Sequence, residues 1–158
     1  MEIKKYHLLP KDEAEKYREK MNGCDWDAGR YLAYSLEDEK FFSFFGKDSE
    51  ALLLTENDEL LAFCTFAEID EIDDESMKPW IGFVYTFPEH RGHRYSGVLI
   101  DYAKKLAHEK NNGKIYVSSE EKGLYEKYGF TFLKDAMSIH GYETQIFVFD
   151  MKNYVKAK

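Results

Sequence analysis

At 158 residues, with 44% hydrophobic and 16% aromatic side chains, the chain is long enough to bury a substantial core and too apolar to be disordered throughout. Its formal charge of −8 argues against general nucleic-acid binding, which draws affinity from Lys and Arg on phosphates. The same charge favours cationic small molecules by long-range attraction.

The elements follow in order. Ile3 to Leu9 reads as a strand. Pro10, Asp12 and Glu13 open a helix with Ala14, Tyr17 and Met21 on one face and Asn22-Gly23 as its stop. Asp25 or Asp27 can cap a second helical region that holds Tyr31, Leu32, Leu36 and the cluster Phe41, Phe42, Phe44 and Phe45, which suits a core or a subunit interface. Leu52 and Leu60 belong to two strands, Ala51 to Thr55 and Leu60 to Phe66, separated by the hairpin signal Glu56-Asn57-Asp58-Glu59. Trp80 to Phe87 is apolar at nearly every position, as expected of a central strand covered on both faces. Tyr95, Val98, Leu99, Tyr102, Ala103 and Leu106 keep helical spacing up to Asn111-Asn112-Gly113. Ile115 to Val117 is a short strand, Glu121 to Tyr128 a short helix stopped by Gly129, and Phe130 to Leu133 and Thr144 to Met151 are strands. The order is βααβββαβαββ, an α/β domain over residues 1–158 with a mixed sheet and helices on both sides.

Cys24 and Cys64 are the only cysteines, without disulfide-framework or metal spacing, and fit a reducing cytoplasm. The start Met1-Glu2-Ile3-Lys4-Lys5 lacks the apolar run of a signal peptide, and no segment is apolar for the length of a bilayer. A soluble, cytoplasmic protein with no membrane partner is expected.

The segment from Phe83 to Ile100 carries the chemistry. A strand ends at Pro88, a turn holds Arg91, Gly92, His93 and Arg94, and a helix begins near Tyr95, Ser96 and Gly97. The unpartnered N–H groups of a helix start, the positive end of its dipole and the arginines together favour an anion, phosphate above all. No Walker-type Lys-Ser pair follows the glycines, which argues against a nucleotide-binding protein of that kind. Downstream lies Leu124-Tyr125-Glu126-Lys127-Tyr128-Gly129-Phe130.

Together these two segments and the order of elements resemble the GNAT superfamily of acetyl-CoA-dependent N-acetyltransferases. The family's signature, Gln or Arg, two residues, Gly, one residue, then Gly or Ala, places Arg91 first, Arg94 at the glycine and Ser96 at the small final position. Arg94 is thus a departure: glycine lets the backbone approach the pyrophosphate, whereas an arginine reshapes that contact and offers charge-assisted bonds in compensation. The resemblance implies a mostly antiparallel twisted sheet, acetyl-CoA as co-substrate, and coenzyme contacts from Arg91 to Gly97 and from the main chain of Tyr85 and Phe87. It assigns Tyr125 as the general acid that protonates the departing coenzyme A thiolate, with Tyr128 as packing. Many relatives carry an asparagine before this helix; here Ser118 or Ser119 stands in its place, each equally suited to a turn.

Relatives often place a glutamate on the fourth strand as base, but Trp80 to Phe87 has no carboxylate. Glu68 and Asp70 share a face if their strand continues that far, and suit binding of a cationic amine and relay of its proton. They read equally as a solvated acidic strand end, Glu89 as an exposed residue and His140 as a weaker candidate base. Trp26 between Asp25 and Asp27, in the loop joining the first two helices, suits an amine with an apolar body; a capping aspartate beside a buried tryptophan is as consistent with the pattern. The resemblance implies direct transfer from acetyl-CoA to a primary amine of a small molecule or peptide, with no metal, and is compatible with a homodimer. A GNAT-fold acyl-CoA-binding sensor or assembly module without turnover is the alternative.

Overall fold

The computed structural model describes residues 1–38 and 40–155. Seven strands form one sheet in the order β1-β2-β3-β4-β5-β7-β6. They are β1 Glu2–Lys5, β2 Glu50–Glu56, β3 Glu59–Ala67, β4 Trp80–Thr86, β5 Lys114–Ser119, β6 Thr131–Met137 and β7 Glu143–Asp150. Every pairing is antiparallel except β4 with β5. Four α-helices, α1 Lys11–Asn22, α2 Asp27–Ser35, α3 Lys40–Phe45 and α4 Tyr95–Glu109, cover the sheet.

Alternation along the strands builds a core on each side. Leu52, Leu54, Cys64, Phe66 and Ile81 face α4 and meet Leu99, Ile100 and Ala103. Their neighbours Leu53, Phe63 and Ala67 face the opposite side, where they pack against Tyr17 and Met21 of α1, Leu32 of α2 and Phe41 of α3. With both faces covered, the central strands are almost continuously apolar, as read from sequence. Farther along that second side, Trp80, Tyr116 and Ile146 pack with Ile72 and Met77 of the loop after β3.

Several boundaries differ from the sequence-based expectation. β1 stops at Lys5 because a 3-10 turn takes Tyr6–Leu8, burying Tyr6. The second helical region divides into α2 and α3, with Phe41 and Phe45 buried in the core and Phe42 exposed. The expected helix from Glu121 to Tyr128 is a 3-10 turn over Tyr125–Tyr128. Neither Asp25 nor Asp27 caps α2, whose N-cap position is Trp26.

Two features of β4 shape the site. Its pairing with β5 covers only Trp80↔Tyr116 and Ile81↔Val117, after which the strands separate. Its pairing with β3 jumps from Thr65↔Gly82 to Phe63↔Tyr85, so Phe83 and Val84 together oppose Cys64 in a bulge. Phe83 takes φ +52, a conformation that bulky side chains rarely adopt. Strict alternation from Ile81 would turn Phe83 toward α4; the bulge turns it instead to the side of α1, α2 and α3.

The turn carrying Tyr125 is fixed from beneath. Gly129 closes it at φ +88, Lys104 of α4 donates to the carbonyl of Tyr128, and Tyr128 lies against Gly97, where a Cβ would sit 2.8 Å from its ring. Gly129→Ala combines left-handed backbone with a Cβ 3.1 Å from Phe149. It is expected to lower stability by about 1–2 kcal/mol, read from the midpoint of urea unfolding.

Candidate active site

Where β4 leaves β5, a cleft of about 590 Å³ opens through the sheet. Arg91, Gly92, Arg94, Tyr95 and Ser96 form one wall, Leu124 and Tyr125 another, and Asp25, Trp26 and Tyr85 the side toward α2. The loop after β4 and the turn after β5 meet here because both leave the C-terminal ends of a parallel pair.

The first wall is an anion site. Pro88 ends β4 in a 3-10 turn, and Arg91 follows, its Nε donating to the carbonyl of Thr86 at 2.9 Å and its guanidinium 5.4 Å from the Tyr85 ring centre. Gly92 is at φ +92 with open space around it, and Arg94 precedes α4 in the left-handed conformation, φ +60. That conformation explains why the resembling motif has glycine there. No side chain caps α4 and no acidic residue lies in its first turn. The N-terminus of α4 therefore keeps its positive partial charge and faces the cleft beside two arginines, a set of donors that fits a diphosphate. His93 is exposed outside the cleft lining, and Gly97 serves the packing against Tyr128.

Tyr125 is buried, 6% exposed, yet its side chain reaches the cleft. Burial pushes its phenol well above the ordinary range, and the negative charge of Glu121 acts in the same direction. The phenol thus keeps its proton throughout the physiological range.

Asp70 is buried against β4. Its Oδ1 is sealed from solvent without a hydrogen-bond partner, packed over Gly82, where a Cβ would stand 2.2 Å away. Thr65 Oγ1, likewise buried and unpartnered, would be 3.1 Å from that same point. Burial raises the Asp70 carboxyl from 3.8 to about 7. Asp70 itself is not among the residues that line the cleft.

Glu68 departs from the expectation. β3 ends at Ala67, so Glu68 and Asp70 share no strand face. Glu68 Oε1 accepts from the backbone N–H of Asp48 at 2.8 Å and packs on Gly46, a structural role away from the cleft. Ser118 bonds Thr144 at 3.0 Å, and Phe87 is buried with its N–H donated to Leu61, so neither presents the expected group to the cleft. Asp27 is exposed and pairs with Arg30 outside the cleft lining. His140 sits in the exposed β6–β7 turn.

The side chain of Tyr85, absent from the sequence reading, joins the loop to the acceptor side. Its hydroxyl donates to Asp25 Oδ1 at 2.5 Å and its ring stacks on Trp26 at 5.5 Å. Burial and the bond to Asp25 raise its phenol to about 12, while that bond lowers the Asp25 carboxyl, leaving it ionised. Glu59, Glu89 and His90 converge at the rim, but Lys20 lies 3.6 Å from Glu59 and 3.7 Å from Glu89 and already answers their charge. Among the described residues no helix is long and apolar enough to cross a membrane.

Residues 12–130, well over half of the chain, match the sequence pattern of the Acetyltransferase (GNAT) family. The chain belongs to that family and is an acetyltransferase of GNAT type. No curated protein matches it in sequence. Among solved structures it is similar to an aminoglycoside 6'-N-acetyltransferase complexed with coenzyme A, with TM-score 0.69 and 11% identity over 99% of this chain and 100% of that one. It is also similar to yncA from Salmonella typhimurium with its cofactor acetyl-CoA, with TM-score 0.65 and 14% identity over 100% and 98%. A spermidine N-acetyltransferase SpeG chimera from Vibrio cholerae and hSSAT aligns with TM-score 0.63 and 13% identity over 96% and 98%. At these identities the likeness is one of fold.

A carboxyl raised by burial favours the protonated folded state. Its stabilising contribution is complete below the unfolded value, near 3.8, and is lost as pH rises through about 7. Asp70→Asn is therefore expected to gain melting temperature relative to the parent between pH 5 and pH 8, with the two converging at about pH 4. Paired thermal melts across this range check it.

Proposed function

We propose that the protein transfers an acetyl group from acetyl-CoA to a primary amine of a small molecule or peptide by direct attack, with Asp70 as base and Tyr125 as acid. The observation that carries this reading is one cleft in which Arg91, Arg94 and the uncapped start of α4 meet the buried Tyr125 phenol. The solved neighbours named for aminoglycoside and spermidine substrates support an amine acceptor.

Acetyl-CoA supplies the activated acetyl thioester. Arg91, Arg94 and the N–H groups opening α4 hold its diphosphate, and the main chain of β4 beyond Ile81, released from β5, is available to the pantetheine arm. Water relays one proton from the acceptor's ammonium to Asp70, so that a neutral amine attacks; the second N–H proton of the adduct leaves to solvent, from which the Tyr125 phenolate is reprotonated after turnover. Tyr125 hydrogen-bonds the thioester sulfur and gives its proton to the thiolate as the C–S bond breaks. Both cysteines are buried, and desolvation pushes the Cys64 thiol far up, which disfavours an acyl-cysteine route.

Thiol release from acetyl-CoA in the presence of an amine panel tests the assignment. Tyr125→Phe is expected to lower kcat by about 100-fold with coenzyme affinity retained. In the parent, kcat/KM rises with pH through about 7 as Asp70 loses its proton, and Asp70→Asn removes that limb along with a similar factor in kcat. Undiminished turnover in Tyr125→Phe contradicts its role as acid. Coenzyme binding without turnover on any amine points instead to an acyl-CoA-binding module.

A further inference from the structure

Beside the cleft, aromatic rings run in succession from the fork to the outer surface of α2. Trp26 approaches Phe83 with centroids 6.2 Å apart, Phe83 stacks with Tyr31 at 6.4 Å, and Tyr31 stacks with Phe44 at 5.9 Å and an interplanar angle of 7°. Phe44 continues to Tyr34 at 6.5 Å. Trp26, Phe44 and Phe83 edge the core on this side, and the row ends in solvent. Tyr31 is 46% and Tyr34 49% exposed, while Trp26, Phe44 and Phe83 are half-buried.

Its inner end is costly to make. Phe83 holds a left-handed backbone at the bulge, and only that turn carries its ring across the sheet into the row. An aromatic residue kept in such a conformation, beside the fork and half accessible, is strain that points to a use. Carboxylates flank the inner end. Asp25, ionised, adjoins Trp26, and Asp70 lies over Gly82, the residue preceding Phe83. The chain's net charge of −8 adds a general attraction for cations.

We infer that this row is the acceptor subsite, and that the acceptor is an arylalkylamine: a flat aromatic body lying on Trp26, Phe83 and Tyr31, joined by a short linker to a protonated amine directed at the fork. This rests on the acetyltransfer reading above and narrows it. The rings offer stacking faces to an aromatic body and cation–π attraction to its ammonium as it passes. An extended polyamine or an aminoglycoside meets two carboxylates but gains little from five stacked or tilted rings. The row is continuous with the reaction cleft through Trp26 and Tyr85, whose hydroxyl holds Asp25.

The test compares 2-phenylethylamine, n-hexylamine and spermidine as acceptors, together with the saturable quenching of tryptophan fluorescence by 2-phenylethylamine in the presence of coenzyme A. Trp26 is the accessible reporter, since Trp80 is 1% exposed. The parent is expected to prefer 2-phenylethylamine to n-hexylamine by about tenfold in kcat/KM, and Tyr31→Ala to erase most of that ratio through KM. Tyr31→Ala is fold-safe because the side chain is nearly half exposed, and Phe83→Leu gives a second, independent loss of the ratio. Preference for spermidine or n-hexylamine, or a ratio unchanged in both variants, overturns the inference. If other amines are acetylated while 2-phenylethylamine neither binds nor reacts, the inference falls and the acetyltransfer reading stands. If 2-phenylethylamine quenches in a Tyr31-dependent way and no amine is acetylated, the subsite stands and the acetyltransfer reading falls. Self-association abolished by Tyr31→Ala, with no effect on amines, makes the row a subunit interface and overturns it.

Discussion

The early parting of β4 from β5 is the constraint on which the rest depends. The strands share two paired positions, Trp80–Tyr116 and Ile81–Val117, and then diverge. Gly82, without a side chain, and Phe83, bulged, occupy the point of divergence. A parallel pair needs a long crossover, here α4, and the segments leaving the C-terminal ends of both strands then lie side by side. The loop of Arg91 and the turn of Tyr125 become neighbours for that reason, though far apart in the chain. Fully zipped, the same strands would pair their backbone groups with each other and leave no passage through the sheet.

Around the fork the protein gathers several arrangements that cost stability. Arg94 and Phe83 hold left-handed backbone, α4 starts without a cap, and Asp70 and Thr65 bury polar atoms without partners. Each costs stability locally, and all lie along one path. The cores on both faces offset these costs, with Leu52, Leu53 and Leu54 shut off from water on alternate sides of a single strand. The electrostatics divide along the same path: positive groups gather where the diphosphate fits, and carboxylates where an ammonium fits.

Much of the fold was legible in the sequence because helix and strand periods repeat over many residues. The apolar run from Trp80 to Phe87 marked a strand covered on both sides, and the spacing from Tyr95 to Leu106 marked α4. Arg91 and Tyr125 were readable because their types and spacing form local patterns. What escaped depends on long-range geometry. Glu68 and Asp70 look equivalent two residues apart, yet β3 ends before them, so one caps a loop and the other is buried over Gly82. Alternation misplaces Phe83, since one extra residue in β4 inverts its side. Tyr85 was assigned only main-chain work; its hydroxyl finds Asp25 sixty positions away, which no local pattern encodes. Arg94 stood out as an irregularity, and its positive φ supplies the physical meaning: the position demands a left-handed residue more than it demands glycine.

The most direct measurement is a crystal structure with bound acetyl-CoA. The diphosphate is expected at the N–H groups of Tyr95 and Ser96 between Arg91 and Arg94, and the thioester in the fork with its sulfur at hydrogen-bond distance from the Tyr125 hydroxyl. Asp70 should face the carbonyl from the side of Trp26 and Phe83. A coenzyme seated outside the β4–β5 fork, or a thioester whose sulfur points away from Tyr125, would contradict it.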